Sequence, residues 1–412
     1  MITERCHDIQ DRLPAANVSL QIPPSLIEYG YYFTLFYATL SGAFQLSIEK
    51  VGVLMLTLLV LLCVLGFGPR VLTVFQLTAL PIGCGIVHLV VQLLIHEESL
   101  ESGNVRNFLP WMLGLVIIQS LALRKGFLHR FALVMLLIGL AMLPFLNSYN
   151  AGGYERVGLD RAVGYANPNA LGAWFGFCAV YFTTNGYVVR RNSFRLLSWL
   201  LALGCMYVSA LTVSRGSLLA VSIAVLFASR HLLKRGFVPI VLLATLGGVI
   251  VESGIFDDAI RSYGYRSEEG SARLQAWPLL VEIFLNSPLI GVGLSHAYVV
   301  VPGSGKATNA HNAFLFIAVA SGTIPLALFV AYWIRSVMAA LRANFKASPD
   351  AVFYIPLLIY TFLIISVGNM DFMAPWAIVS LAVPLAANGS TERRREASIK
   401  PTISIGCIDT KE

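Results

Sequence analysis

Charged residues make up only 12% of this chain, about half the roughly 25% usual in soluble domains. That scarcity excludes a conventional soluble enzyme. The six cysteines, at 6, 63, 84, 178, 205 and 407, show no metal-ligand spacing, and four of them sit inside apolar runs. Neither a disulfide framework nor a zinc centre is expected, and the thiols read as small apolar filler. No cleavable leader is expected either, because the first 25 residues are polar. D-x-D, G-x-S-x-G and H-E-x-x-H do not occur. The stretch VPGSGKA, 301–307, lacks the first glycine of a phosphate loop and has Ala307 where Ser or Thr is required. No inverted repeat of interrupted helices is evident, which weakens a transporter reading. No metal and no cofactor are expected.

What remains is apolar: 57% of the 412 residues, gathered into stretches of the length that crosses a bilayer core, roughly 17–25 residues. The chain reads as an all-α, polytopic membrane protein with about twelve helical spans. They fall near 26–46, 51–67, 71–95, 107–123, 127–147, 168–188, 196–214, 217–233, 237–252, 310–333, 352–367 and 373–388. This divides the chain into an N-terminal segment 1–25, nine spans within 26–252, a large connection 253–309, three spans within 310–388 and a basic tail 389–412. The positive-inside rule orients it. With the N-terminus cytoplasmic, only Lys50, Arg106, Arg156, Arg161, Arg215, Arg261, Arg266, Arg273 and Lys306 lie outside, leaving 20 of the 29 basic residues within. Both termini are therefore expected in the cytoplasm. The net charge of +7 reads as a topology signal toward anionic lipid headgroups, not as a nucleic-acid surface. The sequons at Asn17 and Asn388 fall on the cytoplasmic side and are discounted.

The outer cations carry more information. Most are arginine, whose planar fork suits phosphate and carboxylate. Arg215, in TVSRGSLLA, has almost no loop around it and sits at the bilayer edge, where an arginine either snorkels or serves a ligand. Arg161 precedes Asn167-Pro168-Asn169, an N-cap and first-turn signature that starts a helix. A helix start beside an arginine offers an anion site; as a cap alone it is ordinary. The connection 253–309 contains SARLQAWPLLVEIFLNSP, whose Leu274, Trp277, Leu280, Val281 and Phe284 predict an amphipathic helix carrying Arg273 near its start. The turn PLIGVGL follows, and then TNAHNAFLF. Of the seven histidines, His311 alone is flanked by two asparagines, Asn309 and Asn312, at a helix start. It reads either as a polar residue capping that turn or as a general base poised near neutral pH. Trp111, Trp174, Trp277, Tyr149, Tyr154 and Tyr165 offer interfacial anchors or faces for sugar stacking.

Taken together, these segments resemble the bacterial O-antigen ligases, within a superfamily that also holds O-antigen polymerases. The shared features are R-x-x-G-x-x-N-P-N at 161–169, S-R-G-S at 214–217, S-A-R-L-Q-A-W at 271–277, P-L-I-G-V-G-L at 288–294 and A-H-N at 310–312, in that order along a matching topology. The resemblance implies a metal-independent, inverting glycosyltransferase of the inner membrane. Its donor would be undecaprenyl pyrophosphate-linked O-antigen and its acceptor the lipid A–core oligosaccharide, joined at the periplasmic face. It makes His311 the base that deprotonates the acceptor, and Arg161, Arg215 and one of Arg266 or Arg273 the pyrophosphate ligands. Asn167, Asn169 and Asn312 are included as substrate contacts.

Two other readings compete. An O-antigen polymerase would use the same donor with a lipid-linked glycan as acceptor, but polymerases tend to carry two related arginine-bearing outer loops and only one is found. A lipid or anion transporter would need ionisable groups near the bilayer midplane, where only Glu28 and His88 qualify. Nothing in the chain sets its oligomeric state.

Overall fold

In a computed structural model, the described residues are 24–40, 71–98, 103–150, 155–160, 167–230, 272–301, 307–343, 350–367 and 375–399. The expected spans at 51–67 and 237–252 lie outside them. The described residues form α1 (Pro24–Leu40), α2 (Val71–Val90, running on as a π-turn at Val91–Ile95), α3 (Gly103–Ala122), α4 (Phe127–Met142), α5 (Pro168–Val188) and α6 (Asn192–Leu211). They continue with α7 (Arg215–Ala228), α8 (Ala272–Asn286), α9 (Ala313–Ser321), α10 (Thr323–Arg342), α11 (Ala351–Ser366) and α12 (Pro375–Ile399). Two short antiparallel hairpins interrupt the helices. One pairs β1 (Leu146–Asn150) with β2 (Glu155–Leu159), and the other pairs β3 (Val299–Val300) with β4 (Ala307–Thr308). Hydropathy does not reveal either of them.

The molecule is an all-α polytopic membrane protein. Thr73–Ile95, Phe127–Phe145, Asn192–Leu211 and Thr323–Arg342 are long and apolar enough to cross a bilayer. Their outward faces are apolar as well. Leu133, Leu137 and Leu140 form an exposed stripe on α4, and Leu196, Leu200 and Leu203 form one on α6. Stripes of leucine at i, i+4, i+7 facing away from the core are costly in water and stable only against lipid tails.

Helix α5 is the core. It is buried nearly all round from Pro168 to Gly186, as a helix hydrophobic on every face must be. It packs against α4, α6, α7 and α11. Tyr360 of α11 reaches into it, donating to the Ala173 carbonyl at 2.6 Å.

The stretch 310–333 reads as one span, but the structure breaks it. Helix α9 has only nine residues, too few to cross a membrane that needs about 20. The chain reverses at Gly322 (φ +83), so that Phe314 lies 5.2 Å from the Phe329 ring and 6.2 Å from Trp333 of α10. Two local causes combine. Glycine tolerates the left-handed region, and a Cβ at 322 would collide with the backbone of Leu289 and Ile290. The turn 288–293 then covers the broken end. Val292 N donates to Val319 O at 2.8 Å, Gly293 N to Ala320 O at 3.1 Å, and Thr323 N to Pro288 O at 2.8 Å. Gln92, fully buried in the π-turn, donates to Ala320 O and Ser321 Oγ, each at 2.8 Å, and accepts from Leu294 N at 2.9 Å. That is the structural use of PLIGVGL.

Candidate active site

Two small constructions sit near one another at the end of the bundle where α5 and α7 begin. The first is built on α5. Asn167 caps the helix, its Oδ1 accepting from Asn169 N at 2.9 Å, with Pro168 in the first turn. This is the start that Asn-Pro-Asn requires. Gly172, one turn in, leaves room for the chain joining α6 to α7. A Cβ there would meet Thr212 Oγ1 at 2.6 Å and Ser217 Oγ at 3.1 Å. Ser209 Oγ donates to Gly172 O at 2.9 Å, and the Ser214 and Ser217 hydroxyls are 2.9 Å apart. Within this joint Val213 is forced to φ +50, a genuine outlier for a β-branched residue.

Arg215 follows as the first residue of α7, half-buried. Among the described residues it makes no hydrogen bond and no ion pair. A cation at a helix N-terminus opposes the helix dipole, so this charge is doubly uncompensated. Beside it stands Arg156 of β2, only 9% exposed. Its Nε donates to Thr212 O at 3.0 Å and its Nη2 to Asn169 Oδ1 at 2.9 Å. Sequence reasoning counted Arg156 among the outer cations but did not single it out. Its partner Thr212 is 56 residues away, and nothing local signals that pairing.

The second construction surrounds His311. Helix α8 covers most of the amphipathic segment expected at SARLQAWPLLVEIFLNSP. Its half-buried Trp277 is tied to the turn before His311, the indole N–H donating to Ala310 O at 2.7 Å. Asn309 Oδ1 accepts from His311 N at 3.2 Å. The capping role expected of His311 belongs instead to Asn312, whose Oδ1 accepts from Phe314 N at 3.0 Å and Leu315 N at 3.1 Å. His311 stands just ahead of that cap in the left-handed region, φ +43. A non-glycine residue there is strained by about 1–3 kcal/mol, and such strain persists only where surrounding bonds over-determine it. Four do so here: one each at Trp277 and Asn309 and two at Asn312.

Helix α11 brings the two constructions to a common height. A Cβ on Gly216, next to Arg215, would lie 2.5 Å from Val367 Cγ2, just past the end of α11. Phe314, three residues after His311, packs 5.9 Å from Phe362 of α11. These contact points are about 7.5 Å apart along the helix at 1.5 Å per residue. Below them, α7, α10 and α11 line a half-open apolar cavity of about 280 Å³, with Ile223, Trp333, Val337, Ile355 and Phe362 among its walls.

Of the other candidates, Asn167 and Asn312 have their Oδ1 atoms committed to helix caps, and that of Asn169 to Arg156. Arg161 and Arg266 lie outside the described residues. Arg273 is placed only as a backbone position in α8, one turn before Trp277 and on the same helix face. The midplane candidates Glu28 and His88 both have protein partners. Glu28, buried, meets Arg124, Arg130 (Nε to Oε1, 2.6 Å) and Tyr32 OH (2.6 Å). His88 Nδ1 meets Ser321 Oγ.

Glu98, beyond the π-turn, accepts from Ser295 N and Ser295 Oγ, both at 2.7 Å. Burial raises its pKa, but those hydrogen bonds and the nearby His296 and His96 outweigh it, holding the carboxyl below the usual range.

A family described as O-antigen ligase matches residues 196–330. The matched stretch runs from α6 into α10 and contains Arg215, α8 and His311, while Arg156 and the α5 cap lie before it. No curated protein matches the chain.

Proposed function

We propose that the chain, whose residues 196–330 match the family described as O-antigen ligase, is an O-antigen ligase. It transfers O-antigen from undecaprenyl pyrophosphate to the lipid A–core oligosaccharide at the periplasmic face of the bacterial inner membrane. Both termini lie in the cytoplasm, and residues 253–309 form the periplasmic connection. The observation that carries this reading is Arg215: a half-buried cation at a helix N-terminus with no protein partner among the described residues, level with the strained His311 turn.

In the proposed mechanism Arg215, with Arg161 and one of Arg266 or Arg273, holds the pyrophosphate. The apolar cavity between α7, α10 and α11 takes part of the lipid tail. His311 accepts the proton of the acceptor hydroxyl as its oxygen attacks the anomeric carbon. The bond from that carbon to the pyrophosphate oxygen breaks on the opposite face, so configuration inverts and undecaprenyl pyrophosphate leaves. A lipid pyrophosphate is already a good leaving group. The protein therefore mainly positions it, offsets its charge and supplies a base. Arginines suit the second task because they do not titrate and cannot take the proton meant for His311.

The test supplies purified protein with the lipid-linked donor, with and without lipid A–core, in the presence of chelator. Glycan on lipid A–core, formed only when both substrates are present, is the expected result. Longer glycan still on undecaprenyl pyrophosphate, with no lipid A–core product, makes the chain a polymerase. No covalent product at all would return attention to transport.

A further inference from the structure

Arg156 is the most buried charge at the Arg215 end of the bundle, at 9% exposure, and no carboxylate pairs with it among the described residues. Its neighbour Glu155 is exposed. A guanidinium so placed forfeits solvation and recovers it only through two neutral acceptors, the Thr212 carbonyl and Asn169 Oδ1. Nη1 has no partner among the described residues. An isolated buried cation is expensive, so a charge held this way keeps its capacity for an anion among the described residues.

The two acceptors place that charge in the fold. Thr212 opens the joint that forces Val213 to φ +50 and leads directly into Arg215. Asn169 lies in the first turn of α5, where Asn167 and Ser217 also bond. Arg156 thus ties together the two pieces of backbone on which Arg215 depends, while adding a second uncompensated positive charge beside it.

We propose that Arg156 is a positioning residue for the anion site: it fixes the Thr212–Arg215 joint against the start of α5 and raises the local positive potential, so that Arg215 can take a pyrophosphate group. This rests on the reading of Arg215 as a phosphate ligand and extends it to a residue outside the matched family stretch.

The experiment titrates inorganic pyrophosphate into the purified, detergent-solubilised full chain and follows thermal unfolding of the same samples. Arg156→Gln should weaken binding about tenfold or more, because a nearby positive charge and the hold on the Thr212–Arg215 joint are both lost, with at most a modest drop in unfolding temperature. Arg156→Lys should recover only part, because an ammonium carries the charge but cannot span both acceptors. Asn169→Asp is the second arm, should Arg156→Gln fold poorly. It keeps the acceptor for Arg156 and the packing but cancels the charge, and should also weaken binding.

Arg215→Ala separates the two claims. If it weakens binding while Arg156→Gln and Asn169→Asp do not, the role of Arg156 is overturned and that of Arg215 stands. Wild-type protein that does not bind pyrophosphate, or an Arg215→Ala variant that binds as well as wild type, overturns both.

Discussion

The two ends of the bundle treat buried charge in opposite ways. At one end Glu28 is enclosed by Arg124, Arg130 and Tyr32, and His129 lies 2.8 Å from Asp350 while also meeting Tyr181. Attraction and hydrogen bonding there are complete within the protein. At the other end, about 18 Å along α5 at 1.5 Å per residue, Arg156 and Arg215 are answered by no carboxylate among the described residues. A pair closed on itself fastens helices, whereas a cation with no carboxylate among the described residues is open to a ligand. Burial alone does not separate the two cases, since Glu28 and Arg156 are both buried; the identity of the partner does.

That contrast is open to direct attack. Replacing Arg215 by lysine should lower transfer about 100-fold, as loss of a preorganised charge donor does, and shift unfolding by no more than about 0.5 kcal/mol. Full activity in Arg215→Lys would mean that a point charge suffices and no fork is needed. Glu28→Ala should do the reverse. It should cost about 2–3 kcal/mol of stability, below the usual 3–5 for breaking a buried pair because Arg124 and Arg130 keep 26% and 42% exposure. Transfer per folded molecule should stay unchanged, with detergent-phase unfolding and specific activity as the paired readouts.

Trp277→Phe removes the donor to Ala310 O and leaves a buried carbonyl unpaired. A loss of about 1–2 kcal/mol is expected, together with a several-fold fall in transfer as the His311 turn loosens, while donor binding holds. The smallest effect concerns Glu98. Its carboxyl is depressed in the folded chain relative to the ordinary 4.5. The stability it adds is therefore present above about pH 4.5 and lost as pH falls through the folded value. A Glu98→Gln variant should unfold slightly more easily than wild type near neutrality and match it in acid; a gap that widens in acid would reverse the assignment.

Much of the fold is legible from hydropathy because membrane helices must satisfy their own backbone. Local chemistry likewise reveals the Asn167 cap, which needs only its next two residues. What escapes is set by distant contacts. Gln92 finds Ser321 across 229 residues, so nothing near it explains a buried amide. The break at Gly322 hides inside an apolar run, although Gly322 with Pro325 carries a local signal that hydropathy averages away. Arg156 resembles any other outer arginine until Thr212 is brought to it, and Trp277 resembles an interfacial anchor until Ala310 is. Arg161 and Arg266 lie outside the described residues and stay proposals.

In the proposed mechanism the labour is divided: open arginines hold the donor and His311 takes the proton. The measurement that meets it directly is donor binding and transfer by His311→Ala, assayed side by side with wild type. The variant should still bind undecaprenyl pyrophosphate-linked glycan at wild-type strength while transfer to lipid A–core falls by about 100-fold or more, the contribution of a positioned base. Transfer at the wild-type rate, or loss of binding in step with transfer, would contradict that mechanism.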